Sequence, residues 1–444
     1  MSCFTISAVQ TVDREPAERD PGQCFWDPDV QTMPADQLHE LRELRLRDMI
    51  RRVLERPVPL FARKLHEAGV TTAGDITGLA DLERLPVTVK QDLRASEAEH
   101  PPIGDYRFVD LRECTRLGTS TGTTGTPTIM LWTRRDLRVE YECGARNWWR
   151  QGIRPGMIVT HAHPAYLYGG GPLLSGAYEY FGCLNIWVPP PDTDELAEQG
   201  MRMWMQVKPD IPFVGFALGR YFEVAAKLGL DPMKDVGLRI PSMPGAGGKG
   251  SPLATAGAEC FAFLGGPCDE HNGAHLADDH TYVQAIDPDT GLEVPDGEWG
   301  NLVVTTFGRD NCMIRYDLEE ACRVERTPCP CGETSSRGWW GGRFKDLMSS
   351  QGRKFQVAEV QAALATVPEV AEPSLEFVIV RPKDEHPPLA LRVEADGGSD
   401  GDHTVTQRLA AAVRERLRLE ATIELVDRGS LPRSGFKATR VVDT

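Results

Sequence analysis

No apolar run in this 444-residue chain approaches the roughly 20 residues that a bilayer-spanning helix requires. Basic charge is also scarce, with 49 Lys and Arg against 65 Asp and Glu, a formal net charge of −16. Nucleic acids and anionic membranes are recognised through clustered basic surface, so neither is expected as a partner, and small-molecule substrates are. The first 22 residues lack the basic start and apolar middle of an export signal. Eleven cysteines are too sparse and irregular for a disulfide scaffold. They read as cytosolic thiols or metal ligands, which makes the cytoplasm the expected compartment.

What is present is an ordinary globular composition, 41% hydrophobic and 26% charged, in a chain too long for one hydrophobic core. Residues 1–24 read as a loose lead-in, and apolar residues recurring at three and four from Asp36 to Gly69 predict helices. Ala95–Asp110 reads as a polar, proline-containing connection. Short β-type runs (MIVTHAH, LNIWVPP, IPFVGFA) then alternate with helical stretches, which predicts an α/β domain with a substantial parallel sheet. Residues 281–307 carry two extended runs around DPDTG and PDGEWG turns and predict an antiparallel, β-rich subdomain. After the Gly-rich junction Gly338–Arg343, the order helix, strand, strand, helix, strand predicts a small α+β domain. The expected division is 25–342 for a large domain and 343–444 for a small one.

The densest chemical signal is Thr119–Pro127, TSTGTTGTP, with six hydroxyl side chains around Gly122 and Gly125. The glycines let consecutive backbone N–H groups close on an anion, and the hydroxyls add uncharged donors. Thr119, Ser120, Thr121, Gly122, Thr123, Thr124 and Gly125 are the candidate phosphate-binding residues. The Gly-Lys-Ser/Thr ending of the other common phosphate loop is absent.

This loop closely resembles the signature of the adenylate-forming superfamily of acyl-CoA synthetases, adenylation domains and luciferases. The stretch Phe25–Val70, LPVTVKQDLR and GGPCDEHNGAHLADDH resemble the phenylacetate-CoA ligase branch. The resemblance runs from about Phe25 to the C-terminus. It implies ATP as cosubstrate, Mg²⁺, CoA as acceptor, a C-terminal domain that moves as a lid, and homodimers, which are common in the branch. Lys437, in LPRSGFKATRVVD, matches the adenylating lysine, and Arg343 matches an arginine that contacts nucleotide. Lys345, two residues on, matches the interdomain hinge, and Gly352 the glycine beside the thiol arm. In MIRYDLEEA the ribose-binding carboxylate falls on Glu320 rather than Asp, with Asp317 and Glu319 as alternatives. The stretch that supplies the metal-contacting carboxylate is reduced to AGAEC, which gives Glu259 and no tyrosine, and the lysine often found before the loop proline is Thr126. Lys437, Glu259 and Thr123 form the expected catalytic set.

Cys329 and Cys331, with Cys268 and His275 or His271 upstream, make a four-ligand set suited to a closed, structural Zn²⁺. Cys312 and Cys322 are nearby spares. In HAHPAYLYGGGP, Tyr166 and Tyr168 would wall the acyl pocket, and Gly169 and Gly170 would make room for a flat ligand. Trp148, Trp149, Phe213 and Phe216 read as core. The implied activity is ligation of a small, aromatic carboxylic acid to CoA through an acyl-AMP. The altered AGAEC segment, Glu320 and Thr126 leave a second reading, a secondary-metabolism enzyme that adenylates nitrite to diazotise an aryl amine or that passes the acyl group to an amine or carrier protein. Retention of Lys437 and Arg343 argues against a non-catalytic nucleotide sensor.

Overall fold

The computed structural model describes residues 19–20, 22–56, 58–119, 128–161, 169–213, 218–238, 263–270, 272–344, 347–371, 375–381, 388–396, 403–431 and 441–443. The helical periodicity near the N-terminus gives two helices, Ala35–Glu55 and Pro59–Glu67. Pro59 opens the second, where a missing N–H costs nothing. Leu46, Met49, Ile50 and Val53 bury one face of the first against the β-rich core. Part of the expected polar connection is instead a helix, Lys90–Glu99. Asp92 accepts the Val89 backbone N–H at its start, and Pro101–Pro102 follow shortly after its end.

Three parallel strands do form, with Ile158–His161 between Leu184–Trp187 and Ile211–Phe213. The helices Gly170–Phe181 and Asp194–Val207 lie between successive strands in sequence, as a parallel crossover requires. Helix Arg134–Arg150 is capped by the Thr133 hydroxyl, which accepts the Asp136 N–H, a contact worth about 1 kcal/mol. It packs beside Gly170–Phe181 through an aromatic core of Trp26, Trp148, Trp149, Tyr178 and Phe181. Trp148 and Tyr178 stack with centroids 3.9 Å apart. Trp148 and Trp149 are thus core residues, as expected, whereas Phe216 and the Phe213 side chain lie outside what the structure describes.

The larger sheet is antiparallel. Its six strands run in the order Gly265–Pro267, Ala274–Leu276, Arg337–Arg343, Tyr316–Glu325, Trp299–Thr306, Thr281–Ile286. The expected hairpin is its outer pair, with Thr281 opposite Thr306 and Ile286 opposite Asn301. In the DPDTG turn, Asp287 accepts the N–H groups of Asp289 and Thr290. Residues 348–443 carry a separate core and a four-stranded sheet ordered Ala421–Asp427, Leu389–Ala395, Phe377–Arg381, Val441–Asp443. Helices Val357–Leu364 and His403–Leu417 pack on it. The last three-residue strand, parallel to Phe377–Arg381, is absent from the pattern read in the sequence.

Buried charge stitches the large domain together. Arg146, on helix Arg134–Arg150, holds Asp279 with two bonds of 2.7 and 3.0 Å, and Arg45 from the N-terminal helix reaches the same carboxylate at 3.7 Å. Arg309 pairs with the buried Glu140. Burial alone would raise the Asp279 carboxyl, but Arg146, His280 and Arg45 hold it well below the usual carboxylate range. A depressed carboxylate stabilises the fold above its unfolded pKa near 4 and loses that contribution as pH falls. Asp279→Asn should therefore cost about 3–5 kcal/mol in urea unfolding at pH 7, because Arg146 is left buried and unpaired. The gap from wild type should narrow below about pH 4, and a gap independent of pH would contradict this assignment.

Candidate functional site

Thr119 ends the strand Arg116–Thr119, which pairs antiparallel with Ile129–Trp132, Thr119 facing Ile129. Residues 120–127 join this pair, so Ser120, Thr121, Gly122, Thr123, Thr124, Gly125 and Thr126 lie outside the described residues, while the hairpin that carries them is defined. The Thr119 carbonyl accepts the Gly169 N–H at 3.2 Å. A Cβ on Gly118 would meet the Gly169 Cα at 2.6 Å, and one on Gly169 would meet the Trp132 ring at 2.8 Å. Side chains are excluded at both places because two backbones and an indole already fill the space. Gly170 opens the helix that follows. The root of the hydroxyl-rich loop and the start of helix Gly170–Phe181 are therefore one contact, although Tyr166 and Tyr168 fall outside the described residues.

Arg343 and Glu320 are brought together on neighbouring strands, as direct Cα partners across the sheet. The strand is irregular here: its pairing shifts register between Asp317 and Ala321, and Glu319 has a φ of 55°. Bulges of this kind re-aim side chains beside functional sites. Arg343 lies 3.9 Å from the exposed Glu319 carboxylate. Asp317 is turned inward, where burial raises its carboxyl and the Glu319 N–H, bonded at 2.6 Å, partly offsets the rise. Asp317 thus braces the bulge, while Glu319 and Glu320 both lie beside Arg343. Gly352 forms a turn with Gln351 between the short strands Met348–Ser350 and Arg353–Phe355. Both residues have positive φ, 51° and 78°, as in a two-residue hairpin of type I′. Nothing lies within 4 Å of where a Gly352 Cβ would stand. Lys345, Glu259 and Lys437 lie outside the described residues. The segment carrying Lys437 is bounded by Leu431, whose N–H is donated to the buried Glu394, and by strand Val441–Asp443.

Cys268, His275, Cys329 and Cys331 converge, their ligand atoms all within 4.8 Å of one another. Cys268 Sγ lies 3.9 Å from Cys329 Sγ, and Cys331 Sγ lies 3.3 Å from His275 Nε2. A tetrahedral S₃N zinc site has S–S edges of about 3.8 Å and S–N edges of about 3.6 Å, so these two edges are close to those of such a site. His275 Nδ1 lies 3.3 Å from the Ser335 carbonyl. The tautomer that donates there leaves the Nε2 lone pair facing the thiols, the usual outer support of a histidine ligand. Burial lowers the His275 pKa, which keeps the ring neutral. Of the two histidines considered, His275 is the one in the cluster, and His271 lies outside the described residues. Cys312 and Cys322 are buried in the apolar core instead.

Sequence reasoning missed the charged interior around Arg45, Arg146 and Asp279. Its only signal was the run Asp278-Asp279-His280 entering an apolar strand.

Residues 358–444 match the family of AMP-binding enzyme C-terminal domains. Over 455 aligned residues the chain is 30% identical to the phenylacetate-coenzyme A ligase of Thermus thermophilus, covering 94% of this chain and 99% of that one. The fold is similar to 2-hydroxyisobutyryl-CoA ligase in its postadenylation state with an acyl-AMP, at 27% identity and a TM-score of 0.76, covering 97% and 96%. Against the same ligase with acyl-AMP and CoA in the thioesterification state, at the same identity and coverage, the TM-score is 0.65. The C-terminal domain match and these relatives make this protein an adenylate-forming, AMP-producing ligase. The chain belongs to the phenylacetate-CoA ligase family. Among the described residues, no helix is long and apolar enough to cross a membrane.

Gly118→Ala should lower kcat/KM for both ATP and acid by about tenfold or more, since a shift near 1 Å in positioning groups carries penalties of that order. Steady-state kinetics on a variant with wild-type circular dichroism measures it. Unchanged kinetics would show that the close approach is not needed.

Proposed function

We propose that the protein activates a small carboxylic acid, of aryl type, as its acyl-AMP and then transfers the acyl group to the thiol of CoA. The observation that carries this is the Thr119–Gly169 contact, which sets the acid-binding helix against the base of the triphosphate loop. The acid's carboxylate is thereby held next to the α-phosphate it must attack. No protein nucleophile is needed; the work is positioning and stabilisation of developing charge. Loop N–H and hydroxyl groups hold the β- and γ-phosphates, Glu320 and Arg343 hold the ribose side, and Lys437 reaches the α-phosphate as its charge grows. Mg²⁺, held through Glu259, would neutralise phosphate charge. The acyl-AMP is then opened by the thiol of CoA, which passes Gly352, and AMP leaves.

We read residues 343–444 as a lid that turns at Lys345 between the two half-reactions. In support, the large sheet ends at Arg343 and the first side chain of the C-terminal core is Met348, so few residues join the two. Nitrite activation draws its support from AGAEC and Thr126, outside the described residues, and from Glu320, and no observation favours it. The cysteine–histidine quartet we assign to structural Zn²⁺, which would pin the loop holding Cys329 and Cys331 to the sheet and has no open position for catalysis.

Pyrophosphate release with a panel of aryl acids, and separately with nitrite plus an aminobenzoate, tests the reading. Acid-dependent release supports it, and nitrite-dependent AMP formation would overturn it. Lys437→Ala should reduce adenylation at least about a hundredfold, in the range for loss of one charge-stabilising group, and leave the Kd for ATP within about twofold. Full activity in that variant would remove Lys437 from the mechanism. Elemental analysis should find one zinc per chain, lost in Cys329→Ser together with several degrees of Tm. A zinc ratio near zero in the wild type would dismiss the site.

A further inference from the structure

All nine tryptophans are described, and Trp187 alone is exposed, at 39%. It is nevertheless fixed. Its indole N–H is donated to the Ser175 hydroxyl at 3.0 Å, and its ring lies against the imidazole of His161, with centroids 3.9 Å apart and planes 52° apart. Asn185, two residues earlier and so on the same face of the strand, also donates to Ser175. A large aromatic side chain held in one orientation while one part stays in solvent is preorganised for a ligand rather than for the core.

Its place in the fold says which ligand. Trp187 and His161 are register partners at the carboxyl ends of two parallel strands, the end of an open α/β sheet at which ligands sit. His161 also pairs with Phe213 across the point where the strand order reverses. Ser175 belongs to helix Gly170–Phe181, whose preceding residue, Gly169, bonds the base of the phosphate loop. We propose that Trp187, seated on His161 and anchored by Ser175, is an aromatic wall of the acid-binding pocket and selects planar aryl carboxylic acids over compact aliphatic ones. The inference rests on the acid-activating reading above and names the side chain that sets its substrate class. The indole offers a flat, polarisable face and no charge, so it discriminates by stacking. A small hydroxy acid gains little from such a face.

The test uses full-length enzyme and pyrophosphate release, with phenylacetate and 2-hydroxyisobutyrate as probes. Wild type should prefer phenylacetate. Trp187→Ala should raise KM for phenylacetate about tenfold or more, with KM for 2-hydroxyisobutyrate and for ATP within about twofold. Trp187→Phe should recover most of the loss, and Ser175→Ala, which frees the ring, should raise KM for phenylacetate a few-fold with kcat unchanged. Because Trp187→Ala could fail to fold, a second readout uses Trp187→Phe: phenylacetate should quench the intrinsic fluorescence of wild type and quench this variant less. Unchanged KM for phenylacetate in a folded Trp187→Ala, equal quenching in both proteins, or a wild-type preference for 2-hydroxyisobutyrate each overturns the inference while leaving acid activation standing. Absence of release with any acid would instead overturn the functional reading itself.

Discussion

Two glycines without side chains, Gly118 and Gly169, let a strand and a helix start approach until their backbones touch, and the hydrogen bond from Gly169 to Thr119 locks that approach. The rest of the site follows from it. The hairpin that bears the hydroxyl-rich loop is fixed relative to the helix that leads to Ser175 and, through it, to Trp187. Trp132 closes the same contact from behind. A chemistry that depends on bringing a carboxylate to a phosphate is thus founded on main-chain packing, which fluctuates less than long side chains do.

The surroundings hold this contact in place at some electrostatic cost. Asp136 accepts N–H groups from Thr133, Asp310 and Asn311, tying the loop that precedes strand Tyr316–Glu325 to the helix that follows the hairpin of Arg116–Thr119 and Ile129–Trp132. Burial pushes its carboxyl up to about 6, against the pull of Arg309. Sixty residues separate Cys268 from the Cys329 loop, and the cysteine–histidine cluster brings them together at the far edge of the six-stranded sheet. Glu333, bonded to Arg150, connects that loop back to the aromatic core. Buried ions contribute little net stability when paired and cost much when a partner is removed, so such a network favours one arrangement of the elements over others.

The C-terminal domain was legible because its strands and helices alternate cleanly, as in PSLEFVIVRP and TVTQRLAAAVRERL. Its last strand was not, since three residues carry no period. The convergence of Cys268, His275, Cys329 and Cys331 was legible from C-x-C with an upstream cysteine and histidine. Sheet order was not, because Arg337–Arg343 pairs with a strand some sixty residues earlier and nothing local records that. Trp187 sits in a run, LNIWV, that reads as a buried strand. Its exposure goes with its strand being the outer one of the three described, where Leu184 is exposed too, a property of the assembled sheet and not of the run. The bulge at 317–321, which sets Glu320 opposite Arg343, was not legible either, because it arises from the pairing of strands distant in sequence.

The most direct test of the account is the stoichiometry of pyrophosphate release with an aryl acid, with and without CoA. The account predicts a burst of about one equivalent per chain without CoA, as acyl-AMP stays bound, and continuous turnover when CoA is added. Turnover that ignores CoA, or release that needs no carboxylic acid, would contradict it.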